Sequence, residues 1–178
     1  LLEFIKFGHL HDDLKPTSVK FYYTSTGWTM FNLLVGGLAT GSAIVLYDGC
    51  PTYPSDDTLW EISERCRVTY FGTSPTFVNR LIGTGYSPAT RFDLSSIRTV
   101  AMTGSPASAD NFAWFYEHVG RDIHVFSMSG GTDVATAFVG QAATLPVRAG
   151  EIQAPCLGVD ACAFDQGGHP VVDDDGEL

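Results

Sequence analysis

A run of small residues that ends in a hydroxyl and a carboxylate follows the apolar segment at residues 123–126. The run comprises Ser127, Met128, Ser129, Gly130, Gly131, Thr132 and Asp133. Glycines let a backbone approach an anion closely, Thr132 offers a hydroxyl donor, and Asp133 is a hard oxygen ligand of the kind that Mg²⁺ prefers. The run therefore predicts a phosphate-binding loop, although Gly-Gly-Thr-Asp is also an ordinary turn composition.

Two further loops have the same position, between an apolar segment and a helical one. One follows residues 97–102 and comprises Thr103, Gly104, Ser105 and Pro106. It suits a ligand cradle, but a plain strand-to-helix turn with a serine cap and an early proline has the same composition. The other follows residues 19–23 and contains Trp28, Thr29 and Met30. Trp28 either faces a ligand or packs in the core, as aromatic residues usually do.

Short apolar segments alternate with segments of helical periodicity along the first 140 residues. The apolar segments are residues 19–23, 43–47, 68–71, 97–102 and 123–126. Such alternation predicts right-handed crossovers and hence an α/β fold, a mainly parallel sheet with flanking helices. Ligands bind at the carboxyl ends of the strands in such sheets, so the functional residues should lie in the loops that follow the strands.

Capping residues delimit three of the helices. They are predicted at residues 56 or 57 to 66, residues 74–83, and residues 105 or 108 to 119. In the second, Ser74 is the capping residue, Pro75 occupies the first turn and Gly83 ends the helix. Its inward-facing residues are predicted to be Phe77, Val78, Leu81 and Ile82.

The composition changes after about Gly140, where prolines and glycines separate short extended pieces at residues 150–154 and 158–164. We expect antiparallel strands there. The chain is accordingly divided into an α/β portion, residues 1–140, and the start of a β-rich portion of the same domain, residues 141–178. Residues 1–7 resemble the middle of a helix and residues 176–178 the entry to a strand, so we expect an internal fragment.

The net charge of −10 and the pI near 4.6 argue against nucleic acid and anionic membranes as partners. No apolar run reaches the roughly 18 residues of a spanning helix, so membrane insertion is not expected. The four cysteines form no Cys-x-x-Cys pair and predict reduced thiols in a reducing compartment. His9 and His11, beside Asp12 and Asp13, are interpreted as surface imidazoles across a strand or turn rather than as metal ligands.

An ordered set of motifs spans nearly the whole chain and resembles the acetoacetyl-CoA synthetases. The motifs are Thr-Gly-Trp, Gly-Leu-Ala-Thr-Gly-Ser, Leu-Tyr-Asp-Gly, Phe-Gly-Thr-Ser, Asp-Leu-Ser-Ser-Ile-Arg, Thr-Gly-Ser-Pro, Ser-Gly-Gly-Thr-Asp and Gly-Glu-Ile-Gln. The resemblance implies the large domain of an adenylate-forming enzyme. It also implies ATP, Mg²⁺ and coenzyme A as substrates or cofactors, a cytoplasmic location and a role in fatty acid metabolism.

The same resemblance assigns residues to roles. Thr132 matches a threonine that contacts the nucleotide phosphate, and Asp133 matches an acidic residue associated with Mg²⁺, so these two are the catalytic candidates. The nucleotide site is implied at Gly104, Ser105, Pro106, Ser127, Met128, Ser129, Gly130, Gly131 and Thr132. The acyl pocket is implied at Trp28, Thr29, Met30, Thr103 and Gly130. Ser105 and Asp133 each replace a glutamate of related enzymes.

Gly130 stands where acetate-activating relatives have a tryptophan, so the resemblance implies an enlarged acyl pocket. Replacing Gly130 by tryptophan should then favour acetate. The family's phosphate loop and its lysine-bearing C-terminal domain have no match in the chain, and the fragment alone is expected to be inactive. A synthetase for acetate, propionate or butyrate, and a non-catalytic nucleotide-binding piece of the same fold, stay open as alternatives. The sequence gives no indication of oligomeric state.

Overall fold

A five-stranded parallel sheet is the largest sheet of the computed structural model, which describes residues Leu1 to Leu178. Its strands are β1 (Val19–Tyr22), β2 (Ala43–Val45), β3 (Tyr70–Thr73), β4 (Thr99–Met102) and β5 (His124–Ser127). They lie in the order β2-β1-β3-β4-β5, and every neighbouring pair is parallel. The α/β fold with a mainly parallel sheet is therefore confirmed.

Helices cover both faces of this sheet. They are α1 (Leu2–Lys6), α2 (Thr29–Gly36), α3 (Thr58–Arg65), α4 (Pro75–Thr84) and α5 (Ala109–His118). A π-helical turn at Phe7–His11 continues α1, and short 3₁₀ helices lie at Gly37–Thr40 and Pro88–Thr90.

Successive residues of each strand point to opposite faces and belong to two separate cores. Phe21, Phe71, Val100 and Val125 are buried in the core that includes residues of α3, α4 and α5. Their neighbours Tyr22, Tyr70, Ala101 and Phe126 are buried in the core that includes residues of α2. Burial on both faces explains why the strands are continuous apolar runs rather than alternating ones.

Local signals at the helix termini account for α4 and α5. The Ser74 hydroxyl accepts a hydrogen bond from the Phe77 amide at 3.3 Å, with Pro75 next in the chain, as predicted. Ser108 and Asn111 form a capping box that begins α5, so the later of the two predicted starts is the observed one.

Two details of α4 differ from the prediction. The helix passes Gly83 and ends at Thr84, and the capping residue Gly85 has a φ of 64°, the left-handed conformation that glycine adopts without strain. Ile82 was expected to face inward, but it is 39% exposed. It lies in the last turn, where it lines an open groove with Gly85 and Trp114 instead of packing on the sheet.

Antiparallel strands follow the parallel sheet, as expected, but they are short and begin earlier than predicted. β6 (Ser129–Gly131) pairs with β7 (Thr136–Gly140), which pairs with β8 (Ala154–Pro155). A second pair consists of β9 (Ala163–Phe164) and β10 (Pro170–Val171). The glycine run at residues 129–131 is thus a bulged strand rather than the predicted loop, because its glycines let β7 approach closely. The subdivision at residue 140 stays a prediction.

A buried ion pair lies at the second face of the sheet. Lys20 of β1 donates to Asp12 Oδ2 at 2.7 Å, and the two side chains are 3% and 0% exposed. The Tyr70 hydroxyl and the Gln141 amide donate to Asp12 Oδ1 at 2.9 and 3.3 Å. The Lys20 ammonium also donates to the Leu33 carbonyl at 3.3 Å. Both charges are therefore paired and hydrogen-bonded, as buried charges require.

His11 belongs to this buried region, and the prediction that it is a surface imidazole in a strand or turn was wrong. It ends the π-helical turn and is 4% exposed. The Leu157 amide donates to its Nε2 at 3.1 Å, so the ring proton is on Nδ1, 2.9 Å from the Gln141 carbonyl oxygen that accepts it. Its neighbour His9 is exposed, as predicted.

Tyr22 and Gly72 are paired across β1 and β3. A Cβ added at Gly72 would lie 1.9 Å from the Tyr22 ring, so the ring occupies the space above the glycine. The Tyr22 hydroxyl donates to the Thr73 carbonyl at 3.0 Å.

No helix has the length and apolarity needed to cross a membrane. All four cysteines are free thiols.

Breaking the buried ion pair should destabilise the fold strongly. We expect Lys20→Met to lower the free energy of unfolding by about 3–5 kcal/mol, because it leaves the Asp12 carboxylate buried without a counter-charge. Urea unfolding of the full-length protein measures this. The control is Lys15→Met, which breaks the exposed Lys15–Asp13 pair, 2.9 Å apart, and should cause no resolvable change. Equal effects of the two substitutions would contradict the prediction.

Candidate functional site

Three loops meet at the carboxyl ends of the parallel strands and enclose a cavity of about 540 Å³. They follow β1, β4 and β5, the three positions that the sequence singles out. Every predicted site residue except Asp133 lines this cavity. The structure therefore brings the predicted nucleotide and acyl residues to one place.

The lining also includes residues that the sequence did not indicate: Leu33, Ala107, Thr136, Ala137, Gly150 and Ile152. Leu33 lies one helical turn beyond Thr29 in α2, so helical periodicity was a usable signal. Thr136 and Ala137 reach the cavity because β7 pairs with β6, which no local pattern indicated. Gly150 and Ile152 lie within the Gly-Glu-Ile-Gln motif, to which no role had been given.

The Gln153 side chain holds the segment that carries Ile152 in place. Its Oε1 accepts from the Ala142 amide at 3.2 Å, and its Nε2 donates to the carbonyls of Ala142 and Leu145 at 3.2 and 2.9 Å. His124 Nε2 lies 3.3 Å from the same Oε1. One side chain thus closes residues 142–153 into a loop beside the cavity.

The cavity lining contains no Asp, Glu, Lys, Arg or His side chain. Its polar groups are hydroxyls and the backbone of glycine-rich loops. Such groups recognise a ligand by hydrogen bonds and shape, and neutral donors alone do not neutralise a multiply charged anion.

The loop after β4 is fixed on two sides. The Thr103 hydroxyl donates to the Met128 carbonyl at 2.8 Å, which ties this loop to the one after β5. Gly104 has a φ of 97°, a conformation that favours glycine, and a Cβ there would lie 3.4 Å from the Trp28 indole. Trp28 thus contacts the neighbouring loop and lines the cavity at the same time.

Thr132 and Asp133 are at the exposed turn between β6 and β7, where the Ala135 amide donates to the Thr132 carbonyl at 3.1 Å. Thr132 lines the cavity, and Asp133 is next to it but outside the lining. No group of three or more His, Cys, Asp or Glu side chains is arranged to hold a metal ion. A single carboxylate fits Mg²⁺ that arrives with phosphate oxygens and water as its other ligands, not a resident metal centre.

Two buried hydroxyls of the lining lack hydrogen-bond partners, those of Thr29 and Thr136. They differ in their surroundings. Burial acts to raise the pKa of the Glu3 carboxyl, but Lys6 and the Thr136 hydroxyl beside it outweigh burial and hold that pKa below its ordinary value. Thr136 therefore faces a charged neighbour, and no such neighbour is found for Thr29.

A family model described as "AMP-binding enzyme" matches residues 5–178. The chain is 38% identical over 178 residues to a Gallus gallus protein named acetoacetyl-CoA synthetase. It is 39% identical over 178 residues to the acetoacetyl-coenzyme A synthetase of Rhizobium meliloti (strain 1021). Each match covers 100% of this chain and 27% of the relative, so the chain spans about a quarter of the length of these relatives.

Solved structures show the same fold. The acetoacetyl-CoA synthetase from Streptomyces lividans superimposes with a TM-score of 0.91 at 48% identity, over 97% of this chain and 27% of that one. An anthranilate CoA ligase in complex with anthranoyl-AMP superimposes with a TM-score of 0.83 at 18% identity, over 96% of this chain and 32% of that one. The second likeness concerns the fold alone.

Gly130 should be far less tolerant of a side chain than Gly131. A Cβ at Gly130 would lie 2.2 Å from the Thr136 carbonyl oxygen, whereas a Cβ at Gly131 would make ordinary contacts with the Phe138 ring at 3.7 Å and the Val134 side chain at 3.8 Å. We expect Gly130→Ala to lower the melting temperature of the full-length protein clearly and Gly131→Ala to leave it nearly unchanged. A tryptophan at Gly130 would therefore displace β7. Similar melting temperatures for the two alanine variants would show that β7 yields easily.

Proposed function

This chain belongs to the AMP-binding enzyme family, and we propose that it forms part of a ligase that joins acetoacetate to coenzyme A with ATP. The observation that carries the proposal is that the residues assigned to the nucleotide and to the acyl group line a single cavity. An acid and a nucleotide bound there would meet without either leaving the site. The similarity of all 178 residues of this chain to part of two proteins named as acetoacetyl-CoA synthetases supports the choice of acid.

The proposed reaction has two steps. In the first, a carboxylate oxygen of the acid attacks the α-phosphorus of ATP, and the bond to pyrophosphate breaks. In the second, the thiol sulfur of coenzyme A attacks the acyl carbon, the bond to AMP breaks, and the thiol proton is released. Holding both reactants in one cavity converts an encounter in solution into a positioned reaction.

The residues of this chain would bind and orient the substrates. Gly104, Ser105 and Pro106 would lie against the adenine, and the Thr132 hydroxyl would donate to a phosphate oxygen. The remaining small residues after β5, Ser127, Met128, Ser129, Gly130 and Gly131, would border the nucleotide. Trp28, Thr29, Met30, Thr103 and Gly130 would surround the acyl group.

Magnesium is proposed as part of the nucleotide substrate. Mg²⁺ keeps several waters and binds through one or two carboxylates together with substrate phosphates. Asp133 follows Thr132, which lines the cavity, so its carboxylate is suited to that contact, directly or through water. When bound, the ion would neutralise part of the phosphate charge.

The partners and the cellular location of the protein follow from the same proposal. Small molecules are proposed as its partners, and neither nucleic acid nor membrane insertion is part of the proposal. Free thiols support a reducing compartment such as the cytoplasm, where the thioester product would serve fatty acid metabolism.

Acid-dependent pyrophosphate release by the full-length protein tests the proposal. The assay contains ATP, Mg²⁺ and coenzyme A and compares acetoacetate with acetate, propionate and butyrate. We expect the highest kcat/KM for acetoacetate. A preference for one of the other three acids would retain the ligase and replace its substrate, whereas release with none of them would leave a non-catalytic nucleotide-binding protein of this fold.

The 178 residues by themselves should not catalyse the reaction. Because the cavity lining has no basic side chain, the developing negative charge of the transition state would lack fixed positive partners. We expect no acid-dependent pyrophosphate release from the isolated chain under conditions in which the full-length protein turns over. Release above the ATP-only background would contradict this electrostatic argument.

A further inference from the structure

We propose that the Thr29 hydroxyl donates a hydrogen bond to the 3-oxo oxygen of the acid and thereby selects 3-oxo acids over unsubstituted acids of the same length. The inference rests on the proposed function and deepens it. Thr29 is only 9% exposed and lines the cavity, and its Oγ1 is buried without a hydrogen-bond partner. A buried hydroxyl in that state is unfavourable unless a ligand supplies the missing partner.

The surroundings of Thr29 suit a short acyl chain with one polar atom. Thr29 is the first residue of α2, and Met30 and Leu33 of the same helix line the cavity with it. Both are nearly fully buried, at 4% and 5% exposure. They offer apolar contact to the methyl end of the acid, and the hydroxyl is left to interact with an oxygen.

The other threonines of the lining are hydrogen-bonded within the chain, lie beside a charged group, or lie at the surface. The Thr103 hydroxyl is used by the Met128 carbonyl at 2.8 Å. The Thr136 hydroxyl lies beside the Glu3 carboxylate, and Thr132 is exposed at the turn. Thr29 is therefore the one buried threonine hydroxyl of the cavity with neither a partner nor a charged neighbour.

The direction of the Thr29 hydroxyl depends on the torsion about one side-chain bond. A threonine in a helix populates two rotamers about its Cα–Cβ bond, and these move Oγ1 and the methyl group between staggered positions. Acetoacetate has a carbonyl oxygen on its third carbon, and butyrate has the same chain length with a methylene there. A site that hydrogen-bonds this oxygen discriminates between the two acids by the presence of one acceptor.

The test compares kcat/KM for acetoacetate and butyrate in the full-length protein and in Thr29→Val, which replaces the hydroxyl with a methyl of nearly the same size. We expect the acetoacetate-to-butyrate ratio to fall roughly three- to tenfold through loss of acetoacetate activity, the size of one neutral hydrogen bond. Thr29→Ser should retain most of the ratio because it keeps the donor. Thr103→Val is the matched control, and it should affect both acids alike because its hydroxyl is bound within the chain.

An unchanged ratio in Thr29→Val, or an equal loss for both acids, would overturn the inference while the ligase proposal stands. Equal loss would mean that the hydroxyl contacts the carboxylate that both acids share. The melting temperature gives an independent readout: removing an unpartnered hydroxyl should leave it unchanged or raise it. A marked decrease would reveal a partner within the chain and also overturn the inference. Absence of turnover with either acid in the unaltered protein would instead refute the proposed function itself.

Discussion

The buried pair of Asp12 and Lys20 holds the parallel sheet, the helices on its second face and the antiparallel strands in one arrangement. A buried carboxylate is tolerable only when its oxygens are fully hydrogen-bonded, so the positions of its donors are fixed with it. Tyr70 supplies one donor from β3, and Gln141 supplies another from the residue after β7. The hairpin of β6 and β7 is thus anchored to the sheet at the end opposite its turn.

This anchoring matters because the hairpin forms one wall of the cavity. Gly130 lies so close to Thr136 that the two strands share little free space, and the turn at Thr132 is positioned by their pairing. The loop after β4 forms another wall, and the Thr103 hydroxyl joins it to the loop after β5. The cavity is therefore shaped by backbone pairing and neutral hydrogen bonds rather than by charge, which suits recognition of shape and of individual acceptor atoms.

Much of the fold was predictable because each strand-to-helix unit carries its own local signals. Ser74 with Pro75, and Ser108 with Asn111, determine helix starts within a few residues of sequence. In a parallel sheet those starts also locate the edge where ligands usually bind, so three loops from distant parts of the sequence were expected to lie together, and they line one cavity.

The remaining features depend on partners far away in the chain. Aspartate usually lies on the surface of a protein. Asp12 is buried because Tyr70 and Gln141, 58 and 129 residues away, complete its hydrogen bonds. His11 is buried for the same kind of reason, through Leu157. The sequence of Ser129–Gly131 is typical of a loop, and the segment forms a strand because β7 pairs with it. Ile82 extends the apolar face of α4, but no other element covers the end of that face and the side chain stays exposed.

Tyr22 packs directly on Gly72, so these two positions, which are far apart in the sequence, constrain each other's side chains. Any side chain at position 72 would require the aromatic ring at position 22 to move or to be replaced by a smaller side chain. A small residue at position 22 would leave a void in the core and take away the donor that the Thr73 carbonyl uses. A substitution at either position alone would disrupt this packing. We therefore expect the two residues either to be replaced together or to stay as they are.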